Sequence, residues 1–175
     1  MPSDLVILPL HHYWMLLPLG AFLGIMGYLY EKVTLNANLF YDFLGKICHV
    51  PNYFYGIFVA ILILPIGYFY PQLLGGGNGL ITSLSTSHLT FAVVCLYFLI
   101  RFVWSTFSYA SGLPGGIFLP ILTLGSLLGF GFGLGMHQIG FISTSVLVNF
   151  LVLGVAGYFG AISKAPLTAM ILVTE

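Results

Sequence analysis

Long apolar runs, broken by short polar or glycine-rich stretches, define this chain. No Asp, Glu, Lys or Arg lies between Lys46 and Arg101, and none between Arg101 and Lys164. A helix crosses the hydrocarbon of a bilayer in about 20 residues, so each interval has room for two or three spans. The first apolar segment, residues 5–30, is interrupted by His11 and His12 and then by Pro18. Proline lacks an N–H and fits a first helical turn, which predicts a continuous helix from near Pro18. Gly20, Gly24 and Gly27 form a small-residue stripe on it, suited to close helix packing in lipid. Residues 31–51 gather charges and two asparagines. They read as an aqueous loop with a short helix at residues 40–47.

A second span is expected over residues 53–70, kinked at Pro65, before GGGNGLI at residues 75–81 breaks the helix. A third covers residues 88–108 and contains Arg101 as its one charge. The fourth runs from Phe118 to His137, with Gly125, Gly129 and Gly133 on one face at four-residue spacing. The fifth, residues 146–162, carries Gly154, Gly157 and Gly160, and the last apolar stretch, residues 166–175, is too short to span. Broken helices of unequal length in a packed bundle, within an incomplete chain, are the expectation.

Composition turns this pattern into a class. Hydrophobic residues make up 59% of 175 positions and charged residues 5%, with a mean hydropathy of +1.09. Those values belong to an all-α integral membrane protein. The formal net charge is zero, so there is no basic face for nucleic acid or acidic lipid. Cys48 and Cys95 are too few and too far apart for a disulfide framework or a metal motif, and no metal or cofactor is implied. Asp4 with no Lys or Arg before the first apolar run argues against a secretory signal. Lys32 and Lys46 share their segment with Glu31 and Asp42, so charge bias gives no orientation in the membrane.

The chemistry concentrates in SGLPGGIFLP, residues 111–120, which spends three glycines and two prolines on ten positions. Irregular backbone at membrane depth survives only where protein buries it or where it lines a watery cavity. Pro120 costs little in a first turn and about 3 kcal/mol in a helix interior, which places the helix start near residues 117–119. The amides of Gly116, Ile117, Phe118 and Leu119 then have no partner in the helix. They carry the positive end of its dipole, about half an elementary charge, and form an anion site. Gly115 and Gly116 leave room for an ion beside the backbone. The bland alternative is a tight connection between two spans. A serine dyad of Ser111 with His137 resembles that of rhomboid-type proteases, but position 109 is Tyr where that family's motif has glycine, so no enzyme is expected.

SGLPGGIFLPILTLGSLLGFGFG is similar to the signature of the ClC family of chloride channels and chloride/proton antiporters. Gly116, Ile117, Phe118, Leu119 and Pro120 match its G-x-F-x-P motif. GGGNGLI resembles the glycine-rich break before that motif, Arg101 stands where an arginine commonly precedes it, and GAISKAPLTAMILVTE resembles a later stretch of the family. The resemblance covers residues from about 18 to 175 and implies the second of two inverted repeats, truncated at both ends, in a homodimer with one pore per subunit in the cell membrane. It implies that the amides of Ile117 and Phe118, beside Gly116, coordinate chloride or a similar small anion, with Gly115, Leu119 and Pro120 supporting the turn. The family's serine loop and gating-glutamate loop do not occur here and belong to a missing first half. Its pore tyrosine would lie beyond Glu175, itself expected to be structural. Channel and antiporter both remain open. The isolated fragment is expected to be inactive, and the alternative is a non-transporting scaffold or degenerate fragment.

Overall fold

The structure is a computed structural model that describes residues 10–48, 61, 64, 65, 67, 68, 90–111, 116–143 and 146–174. Among the described residues every regular element is helical. A 3-10 helix at Leu10–Met15 leads into α1, Leu16–Cys48, followed by α2, Phe91–Ala110, α3, Phe118–Gln138, α4, Leu147–Ser163, and α5, Pro166–Thr174. Three helical stretches, His12–Ala37, Phe91–Ala110 and Phe118–Gln138, are long and apolar enough to cross a membrane. The protein is thus an all-α, multi-pass integral membrane protein. Residues 61, 64, 65, 67 and 68 are helical, within the expected second span. GGGNGLI, Gly115 and Glu175 lie outside the described residues.

α1 corrects the sequence reading. The helix does not stop at Glu31 but continues to Cys48, so the backbone of residues 31–48 is helical, not an aqueous loop. Its buried positions are Leu19, Leu23, Gly27, Tyr30 and Thr34, in line with Met15 of the 3-10 helix before it. These recur every three or four residues and form one seam facing the bundle. Glu31 and Lys32 point away from that seam. Glu31 pairs with Lys164 at 3.4 Å, and Lys32 lies 5.9 Å above the Tyr28 ring. Gly20 and Gly24 are off the seam too: a Cβ at either would meet nothing within 4 Å. The expected close packing at this stripe is confined to Gly27, where a Cβ would come within 3.2 Å of the Ala161 Cβ.

α3 is the centre of the bundle, buried through residues 123–131. In lipid, burying apolar surface gives no drive between helices, so close approach of backbones has to supply the attraction. The glycines of α3 and α4 permit it. A Cβ on Gly125 would sit 2.8 Å from the Gly154 carbonyl oxygen, and one on Gly129 would sit 2.7 Å from the Gly154 Cα. At Gly133 the neighbours are Leu147 and Phe150 side chains at 3.1 Å.

The turn joining α3 to α4 is fixed at both flanks. Gly140 adopts φ 87°, a region where glycine has no Cβ to clash. His137 Nδ1 hydrogen-bonds the Ile142 carbonyl at 2.7 Å, and His12 Nε2 the Phe141 carbonyl at 3.0 Å. At the other end of α4, Lys164 takes φ 55° and ψ 24° as C-cap, the left-handed conformation that ends many helices. Pro166 then opens α5 at the one position where its missing N–H costs nothing.

Candidate functional site at the start of α3

α3 starts as Pro120 predicts. Phe118 is its first residue and Ile117 its N-cap, at φ −79° and ψ −17°. The first bond of the helix runs from the Ile121 N–H to the Ile117 carbonyl at 3.2 Å. Pro120 has no N–H to offer. The N–H groups of Phe118 and Leu119 precede the first helical acceptor, and no side-chain cap is made at the N-cap Ile117. With the amides of Gly116 and Ile117 just before, they form a short row of donors at the positive end of a 21-residue helix dipole.

Among the described residues nothing crowds the first of these positions. Gly116 is exposed, and a Cβ built on it meets nothing within 4 Å. Phe118 is 37% exposed and Leu119 43%. The Phe118 ring stands edge-on against Phe159 of α4, with centroids 5.3 Å apart at 85°. That contact anchors the side chain on the α4 side. The buried hydroxyls of α3 are engaged within the helix. Thr123 donates to the Leu119 carbonyl at 2.9 Å, and Ser126 to the Thr123 carbonyl at 2.7 Å.

Other candidates from the sequence separate in space. The Ser111 hydroxyl is buried and donates to the Ser108 carbonyl at 2.7 Å. α2 runs antiparallel to α3, since a Cβ on Gly131 would lie 3.5 Å from Val94 near the start of α2. Ser111 therefore lies toward the N-terminal end of α3 and His137 near its other end, a separation of roughly 30 Å at 1.5 Å per residue. No serine–histidine dyad forms. Among the described residues no group of three or more His, Cys, Asp or Glu could hold a metal ion.

The structure also brings together polar residues of which the sequence pattern singles out only Arg101. Tyr30 and Thr34 of α1, Arg101 and Ser105 of α2, and Tyr158 of α4 are all buried. The spacing of Tyr30 and Thr34, which continues the seam through Leu19 and Leu23, is the signal that could have revealed the first two. Arg101 is 4% exposed, so the one charge of the third apolar segment faces inward.

Residues 4–175 match the family described as "Voltage gated chloride channel". The chain is 32% identical to the H(+)/Cl(-) exchange transporter ClcA of Vibrio parahaemolyticus over 93% of its own length and 35% of that protein. It is 30% identical to the protein of the same name in Vibrio campbellii, again over 93% of this chain and 35% of the relative. A Vibrio cholerae counterpart is 31% identical over 90% and 34% of the two lengths. The chain therefore spans about a third of the length of the curated relatives it matches.

Proposed function

The chain belongs to the voltage-gated chloride channel family, and from that premise we propose that it is part of a protein that moves chloride or a similar small anion across a membrane. The anion is held by backbone N–H groups of Ile117 and Phe118 beside Gly116, with Gly115, Leu119 and Pro120 shaping the turn. The observation that carries this reading is the uncapped start of α3 next to a glycine with open space around it. Amide donors at a helix end supply partial positive charge without a fixed cation. An ion so held binds firmly enough to enter and loosely enough to leave, as conduction requires.

Relatives about three times as long favour a path completed by sequence outside residues 1–175. These residues then form a second repeat that does not transport alone, in a protein that works as a homodimer in the cell membrane. The names of the relatives, proton/chloride exchangers, favour proton-coupled exchange over a passive channel for the whole protein.

Halide titration calorimetry on the full-length protein tests the site. Gly116→Val adds methyl groups where the structure has space, so the fold tolerates it while the approach to the donors narrows. Chloride affinity is expected to fall by more than about tenfold, roughly 1.4 kcal/mol. Phe118→Leu keeps the backbone donor and should stay within that factor. Wild-type affinity in Gly116→Val together with loss of binding in Phe118→Leu would mean that side chains, not amides, make the site.

A further inference from the structure

Inside the bundle, three buried hydroxyl groups on two neighbouring helices have no hydrogen-bond partner among the described residues. The side chains of Tyr30 and Thr34 on α1 and Tyr158 on α4 are 1%, 5% and 0% exposed. None of their hydroxyl oxygens makes a hydrogen bond to another described residue. The rings of Tyr30 and Tyr158 meet edge-on, with centroids 6.3 Å apart at 61°. The Tyr30 hydroxyl lies beside the side chains of Thr34 and Ser105 and within electrostatic reach of Arg101, but in no orientation that closes a bond. Ser105 donates its own proton to the Phe102 carbonyl at 3.1 Å, which leaves its oxygen lone pairs as acceptors.

A buried hydroxyl without a partner gives up its hydration with nothing in return. Phe, Val and Phe would fill these three positions with nearly the same shape and no such cost. A single unsatisfied hydroxyl is tolerable, but three on two packed helices, with the Tyr30 and Tyr158 rings in contact, call for a common partner. That partner has to accept from some of them, donate to others and reach all at once. A buried water does this with two to four polar neighbours, and the cluster offers three hydroxyls and the Ser105 oxygen. The geometry points to an ordered water site formed by Tyr30, Thr34 and Tyr158 in the interior of the membrane bundle. The Arg101 guanidinium, one turn before Ser105 on α2, turns the oxygen of such a water toward itself. Tyr158 also touches the central helix, since a Cβ on Gly125 would lie 3.0 Å from its Cβ. The site therefore sits against α3, within the same half of that helix as its open N-terminus. It is independent of the proposed anion site and draws on none of its residues.

X-ray radiolysis generates hydroxyl radicals from water in place, so a buried side chain next to bound water is oxidised while a dry one is not. The experiment is radiolytic labelling of the full-length protein in lipid nanodiscs, read by mass spectrometry and corrected for intrinsic reactivity. Phe150 on α4, 0% exposed like Tyr158, is the dry reference. Tyr30 and Tyr158 are expected to be labelled at least tenfold faster than Phe150. Labelling of both at the Phe150 rate overturns the proposal. Thr34→Val, which removes one ligand of the water without changing shape, should lower labelling at Tyr30 several-fold, and Tyr28→Phe on the exposed face of α1 should leave it unchanged. An unchanged rate in Thr34→Val would also count against the site. Bromide soaked into crystals should give no anomalous peak among these residues, because a peak there would assign the site to an anion instead of water.

Discussion

Replacing Gly129 by alanine adds one methyl group at the tightest crossing of the bundle. The new Cβ would strike the Phe150 carbonyl oxygen first and lie 2.7 Å from the Gly154 Cα, whereas non-bonded carbons rest about 3.5–4 Å apart. α4 has to retreat by about 1 Å to restore that distance. The obstacle is backbone, which has no rotamer to change, so the cost belongs near the upper end for overpacking, about 3 kcal/mol. Alanine in place of glycine within a helix offsets this by about 1 kcal/mol. A net destabilisation of about 2 kcal/mol is expected. Gly20→Ala is the control, because its Cβ meets nothing within 4 Å and only the favourable helix contribution of about 0.5–1 kcal/mol remains. Thermal unfolding of the purified full-length protein, followed by loss of the monodisperse peak in detergent, ranks the two. Gly129→Ala should unfold below the wild type and Gly20→Ala at or above it. Adding Gly154→Ala to Gly129→Ala should cost less than Gly154→Ala alone, since the helices have already parted. Equal melting of Gly129→Ala and Gly20→Ala would refute the claim that this crossing holds α3 in place.

Three further outcomes follow from single contacts. Lys164→Gly should leave the melting temperature unchanged or raise it, and Lys164→Val should lower it, because a β-branched side chain fits poorly at φ 55°. Glu31→Gln should shift stability by less than about 1 kcal/mol in a chemical or thermal melt, since the pair with Lys164 is largely exposed at both ends. Gly140→Ala should speed proteolysis of the α3–α4 turn, because φ 87° is strained for any residue with a Cβ.

Much of the fold was legible where backbone chemistry dominates. Pro120 fixed the start of α3 to within a residue, and the glycines at 125, 129 and 133 marked the face on which α4 lies. Charge was the misleading signal. Glu31 and Lys32 looked like the end of a span, yet they occupy outward positions of a helix whose inward seam continues through Tyr30 and Thr34. Counting charges ignores helical phase, and the period of the apolar positions was the better guide. Gly20 and Gly24 failed for the same reason: a small-residue stripe identifies a possible contact, but only the phase of the buried seam says whether it faces the bundle. The start of α3, on which the proposed anion site rests, was legible because a helix N-terminus is a local property. The cluster of Tyr30, Thr34, Arg101, Ser105 and Tyr158 was hidden because it is made by three helices whose meeting no local pattern encodes.

The central claim is that backbone amides at the start of α3 hold the anion, and the position of a bound halide tests it most directly. Bromide scatters anomalously and is chemically close to chloride, so crystals of the full-length protein grown in bromide locate it without reference to any side chain. The account predicts an anomalous peak within hydrogen-bonding distance of the Ile117 and Phe118 nitrogens, on the open side of Gly116, and weaker in Gly116→Val. Bromide density elsewhere in the bundle, with none at the start of α3, would contradict it.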